Sequence, residues 1–141
     1  MPDNQELPSQ GYNGNAKTIL IVSDDVVLGQ LLSLVLLQET VYHPYLVNNQ
    51  DAALQAVQEM TPVLYILDDQ IPGLTALELY DQLHGIERLV AIPAIMLNAD
   101  VPQTEREKHT MLGLTKPFTL DDLLMALAII LPHTPFRPGG D

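Results

Sequence analysis

The chain has 141 residues, 47% of them hydrophobic, with 18 acidic against 6 basic residues and a formal net charge of −12. That length suits one domain with its own core, and the charge opposes binding to phosphate backbones and anionic membrane surfaces. With no cysteine, disulfides, thiolate metal sites and thiol catalysis are excluded.

The opening stretch MPDNQELPSQGYNGNA has no basic start followed by an apolar core, and no apolar run approaches a membrane span, so a cytoplasmic protein is expected. Residues 1–16 are polar and aperiodic and read as a disordered tail. Residues 132–141 hold three prolines and two glycines and read as a flexible tail. The folded unit is therefore expected over 17–131. His43, His84, His109 and His133 stand at no metal-ligand spacing and read as surface residues.

Between the tails, strand and helix alternate. Residues 18–22 are apolar on both faces, as a central parallel strand requires, and end at Ser23, Asp24 and Asp25. A very apolar helix is expected over 26–38, then a strand near 43–47 ending at Asn48. Asn49 is a plausible N-cap for a helix over 50–60. The strand 63–67 leads into Asp68 and Asp69, the Ile71-Pro72-Gly73 turn and a helix near 75–84. A strand over 93–97 ends at Asn98, and Asp100 with Gln103 suggests a capping box for a short helix to about 109. The last strand, near 112–115, stops at Lys116-Pro117; Thr119 and Asp122 form a second capping box before the final helix. The leucine and methionine positions of the helices read as core.

Alternating units of this kind point to a doubly wound α/β fold: five parallel strands in flavodoxin-like order 2-1-3-4-5, with helices on both faces. Every polar strand ending then falls on one edge of the sheet, where open α/β folds place their ligand sites. Strands one and three are neighbours in that order, which brings Asp24 near Asp68. Each residue also has a plain structural alternative. Asp24 and Asp25 can cap the following helix, Asp68 and Asp69 can be a loop pair, and Lys116 an exposed strand-end lysine.

The segments ILIVSDD, PVLYILDDQIPGLTALEL, IPAIMLNAD and LTKPFTLDDLL, in that order, resemble the receiver domain of two-component response regulators. The resemblance covers 17–131. It implies a cytoplasmic, stand-alone phosphoacceptor rather than an enzyme with a separate substrate, one that assists only its own phosphorylation and dephosphorylation. By match, Asp68 is the phosphoacceptor, accepting from a histidine kinase or phosphotransfer protein. Asp24, Asp68 and the backbone carbonyl of Gln70 are the ligands of Mg²⁺ or Mn²⁺, with Asp25 a further candidate. Lys116 and Asn98 face the phosphoryl oxygens. The resemblance admits a cis Lys116-Pro117 bond and pairing of two copies, and implies signalling through a downstream protein, without direct nucleic-acid or membrane contact.

Three positions depart from the family. Ser23 replaces the first residue of the usual acidic pair, Asn98 the small hydroxyl residue, and Gly113 the switch aromatic. These departures favour a second reading, a pseudo-receiver that acts as a phosphorylation-independent docking or scaffold module. A haloacid-dehalogenase-type phosphatase is rejected, because its general acid would fall at Gln70.

Overall fold

The structure, a computed structural model, describes residues 17–99, 101–104 and 110–131. Five strands form one sheet: β1 (Thr18–Val22), β2 (His43–Val47), β3 (Leu64–Asp68), β4 (Ala94–Leu97) and β5 (Met111–Leu114). All neighbouring pairs are parallel, and the spatial order is β2-β1-β3-β4-β5. The expected order 2-1-3-4-5 is therefore observed. Val22 lies opposite Leu67 in the β1–β3 ladder, so the ends of these two strands adjoin.

Side chains alternate across a strand, and this alternation builds two cores. Leu20, Val22, Tyr65, Leu67, Ala94 and Met96 pack on one face with α2 (Gln50–Glu59) and α3 (Ala76–His84). Ile19, Ile21, Leu64, Ile66, Ile95 and Leu97 pack on the other with α1 (Val26–Glu39) and α4 (Leu120–Ile130). Such strands read as unbroken apolar runs because both faces are covered. A short 3₁₀ turn, Glu87–Leu89, precedes β4.

Local chemistry sets the helix starts. Asn49 accepts from the Ala52 N–H and opens α2. Thr119 and Asp122 exchange side-chain-to-backbone bonds, the expected capping box of α4. Thr75 and Glu78 make an equivalent box at α3. The Asp100–Gln103 box and most of the helix expected after it lie outside the described residues, as do the two terminal tails, His109 and His133.

Two expectations are corrected. The leucine and methionine positions of the helices are not all core: Leu31 is 55% exposed and Met125 62%, with Leu34, Leu37 and Leu120 also open. α1 is apolar almost all round, so only one stripe, Gly29, Leu32 and Leu36, meets the sheet. Gly29 permits that close approach, since a Cβ there would lie 2.9 Å from Leu46 Cδ1. His43 and His84 are half-buried rather than surface residues. The His84 ring lies 3.8 Å from that of Tyr80, and its Nε2 is 2.8 Å from the Ile92 carbonyl oxygen.

Strand ends shift by one residue against expectation. β3 includes Asp68, which pairs with Leu97, so the acid is the last residue of the strand rather than the first beyond it.

Candidate functional site

The C-terminal ends of β1, β3, β4 and β5 converge, and hydrogen bonds cross between the loops that leave them. The Ser23 N–H donates to the Val47 carbonyl at 3.1 Å, extending the β1–β2 ladder by one residue. The Asp24 N–H donates to the Gln70 carbonyl at 2.6 Å, tying the exit of β1 to the exit of β3. Asp25 turns to the helix: its carboxylate accepts from the Leu28 N–H at 3.1 Å and caps α1. The side chains of Asp24 and Asp25 are both exposed.

Asp68 is fully buried, at 0% exposure. A buried carboxylate requires partners, and this one has three donors. Ser23 Oγ donates to Oδ2 at 2.6 Å. The Asp69 N–H donates to Oδ1 at 2.8 Å, and Lys116 Nζ lies 2.6 Å from the same oxygen.

The network continues outward through Asp69. Its Oδ1 lies 3.1 Å from Lys116 Nζ, and its Oδ2 accepts from Asn98 Nδ2 at 3.2 Å. Asn98 Oδ1 in turn accepts from the Lys116 N–H at 3.3 Å. Asn98 sits at φ 58°, a left-handed conformation that asparagine tolerates better than most residues. The Lys116-Pro117 bond is cis.

Charge balance follows this geometry. Burial alone would lower Lys116, but its hydrogen bonds and ion pairs with Asp68 and Asp69 outweigh this and hold the amine above its ordinary range. Burial likewise pushes Asp69 up. Its hydrogen bonds with Lys116 and Asn98, together with the Lys116 charge, outweigh this and carry it below the usual carboxylate range.

Of the residues expected at the site, Asp68, Asn98 and Lys116 thus share one network, while Gln70 joins through its carbonyl and Asp24 through its amide. Two participants were missed. Ser23 is expected as a polar strand ending that lacks the family's carboxylate, yet its hydroxyl is a direct donor to Asp68. Asp69 is expected only as a polar strand ending, with no role of its own, yet it shares the lysine. Two consecutive acids facing a single strand-end lysine were the available signal. At Gly113 the space above the backbone is taken by Val101, whose Cγ2 would lie 3.1 Å from an added Cβ.

The donor set can be compared with a divalent cation. Asp24, Asp68 and the backbone carbonyl of Gln70 offer only oxygen, the ligand chemistry of hard ions. Among the described residues no group of three or more His, Asp or Glu side chains is arranged to hold a metal. An ion here would rest on one or two carboxylates, the carbonyl and waters, which is how Mg²⁺ is commonly bound. The residues fit on those terms.

The family described as response regulator receiver domain matches residues 19–128, and the chain belongs to it. The phosphate regulon transcriptional regulatory protein PhoB of Pseudomonas aeruginosa is 31% identical over 135 residues, covering 88% of this chain and 58% of its own length. The transcriptional regulatory protein BaeR of Escherichia coli O6:H1 is 32% identical over 130 residues, covering 89% and 51%. The chain thus spans about half the length of these curated relatives.

Among solved structures, a putative response regulator from Chloroflexus aurantiacus superposes with a TM-score of 0.71 at 26% identity, covering 84% of this chain and 100% of its own. The receiver domain of the sensor histidine kinase PA1611 from Pseudomonas aeruginosa, with magnesium coordinated in its active-site cleft, has a TM-score of 0.65 at 22% identity, covering 82% and 98%. That likeness concerns the fold. This chain is a receiver domain of two-component signalling, and among its described residues no helix is long and apolar enough to cross a membrane.

Proposed function

We propose that this receiver accepts a phosphoryl group on Asp68 from the phosphohistidine of a kinase or phosphotransfer protein, and signals by protein–protein contact. The observation that carries the reading is Lys116 Nζ at 2.6 Å from Oδ1 of the fully buried Asp68. A carboxylate attacks phosphorus only where the charge on the phosphoryl oxygens is neutralised. In the step, a carboxylate oxygen of Asp68 forms the new O–P bond. The P–N bond breaks, and its electron pair stays on the donor imidazole, which takes up a proton. Lys116 supplies a mobile positive charge for a phosphoryl oxygen, and Asn98 offers an amide N–H donor. Ser23 orients the carboxylate through Oδ2.

Asp24, Asp68 and the Gln70 carbonyl would hold Mg²⁺ or Mn²⁺, with Asp25 less available because it caps α1. When bound, the ion neutralises charge on the transferring group. Beside the site, Val26, Val27 and Leu31 on α1 are exposed and uncharged, a surface suited to a protein partner. The same chemistry operates whether the receiver works free or joined to other domains.

Titration with Mg²⁺ and beryllofluoride tests it. Amide resonances around Asp68 should shift in the intact protein and stay fixed in Asp68→Asn. The alternative, a phosphorylation-independent docking module, is favoured by the commitment of both Lys116 and Asn98 to Asp69. It would be supported by an intact protein that shows no response at millimolar Mg²⁺.

A further inference from the structure

The carboxylate of Asp69 stands where an incoming anion would have to stand. Its two oxygens engage Asn98 Nδ2 at 3.2 Å and Lys116 Nζ at 3.1 Å, an amine it shares with Asp68 Oδ1 at 2.6 Å. Those are the groups assigned above to the phosphoryl oxygens. We propose that Asp69 is a resident competitor for the phosphoryl pocket, holding Lys116 and Asn98 until a phosphoryl group on Asp68 displaces it. This inference rests on the phosphoacceptor reading.

The geometry gives the competition its direction. Asp68 is anchored in β3 and buried, whereas the side chain of Asp69 is 33% exposed beyond the strand end. Asp69 can therefore leave without opening the core. Asp69 and Asn98 themselves line an open cleft of about 410 Å³ with Leu74, Thr75, Ala76, Leu77 and Ala99, so the carboxylate has solvent-filled space on that side. Until it leaves, its charge also repels a phosphoryl donor at close range. Occupying Lys116 and Asn98 in advance has a second effect. Asn98 and Lys116, at the exits of β4 and β5, are already bridged by an anion, so phosphorylation exchanges one anion for another between them.

The test compares intact protein, Asp69→Ala and Asp69→Asn, each titrated with beryllofluoride at fixed Mg²⁺ and followed by amide NMR. A part-exposed ion pair of this kind is worth little, so its removal should tighten the apparent affinity roughly two- to fivefold. Asp69→Asn, which keeps the shape without the charge, should fall between. The Asn98 side-chain amide signals should move on Asp69→Ala with no anion added, a readout that needs no phosphoryl chemistry. Unchanged or weaker affinity in Asp69→Ala, with the response still abolished by Asp68→Asn, would overturn the competitor and leave the phosphoacceptor standing. Absence of any response in the intact protein and in Asp69→Ala alike would remove both.

Discussion

Replacing Ser23 by alanine isolates the contact that most distinguishes this site. Ser23 is 3% exposed, and its hydroxyl donates at 2.6 Å to a carboxylate at 0% exposure. The same Oγ accepts from the Asp25 N–H at 3.1 Å, at the entrance to α1. Hydrogen bonds to charged groups contribute about 1.5–3 kcal/mol, and leaving a buried acceptor short of a donor costs in the same range. The second bond is only part-buried and adds less. Asp68 keeps two donors on Oδ1, which limits the loss. The balance predicts about 2–3 kcal/mol of destabilisation, or roughly 8–12 °C in Tm for a domain of this size. Urea and thermal unfolding of Ser23→Ala measure it. Ser33→Ala is the control, because among the described residues Ser33 Oγ bonds only the Gly29 carbonyl of its own helix, at 2.9 Å. In a double-mutant cycle with Asp68→Asn, at least about 1 kcal/mol should appear as coupling. A loss below about 0.5 kcal/mol, or a cycle that closes without coupling, would refute the claim that the serine supports the buried acid.

Further expectations concern charge, the core and a helix start. Asp69 is held below its unfolded value of about 3.9, so its contribution to stability is present above that pH and fades as pH falls through the folded value. Lys116 is held above its unfolded value of about 10.4, so its contribution is present below that pH and fades as pH rises through the folded value. The stability difference between the intact protein and Lys116→Met, from urea melts across pH, should therefore be flat between about pH 5 and 9 and shrink at both ends. Because both groups are part-exposed, added salt should reduce it. Tyr65 is fully buried in the core, and among the described residues its hydroxyl has no hydrogen-bond partner. Burial raises its pKa, and Tyr65→Phe should leave stability unchanged or raise it by up to about 1 kcal/mol in thermal unfolding. Thr119→Ala removes half of the capping box of α4 and should cost about 1 kcal/mol, measurable by the same melts. A loss indistinguishable from zero there would mean that packing alone starts the helix.

The sheet was legible because its evidence is local and repeats. Runs such as Ile19 to Val22 and Leu64 to Leu67 are apolar at every position, which only a strand covered on both faces demands. The N-caps at Asn49 and Thr119 were equally legible, since a capping side chain acts on backbone two or three residues away. Parallel order then placed Asp68, Asn98 and Lys116 on one edge without any knowledge of contacts.

Two matters belonged to the tertiary structure alone. α1 carries apolar residues on nearly every side, so periodicity could not say that Leu32 and Leu36 would face the sheet while Val27, Leu31 and Leu34 faced outward. Nor could sequence assign the acids around the site. Past a strand end the two-residue alternation lapses, and loop dihedrals decide which side chain points inward. Here the short hydroxyl of Ser23 reaches Asp68, Asp25 caps a helix, and Asp24 remains exposed. The sharing of Lys116 between Asp68 and Asp69 joins residues 48 and 47 positions apart in the chain. That competition is settled by distance in space, which only the packed sheet creates.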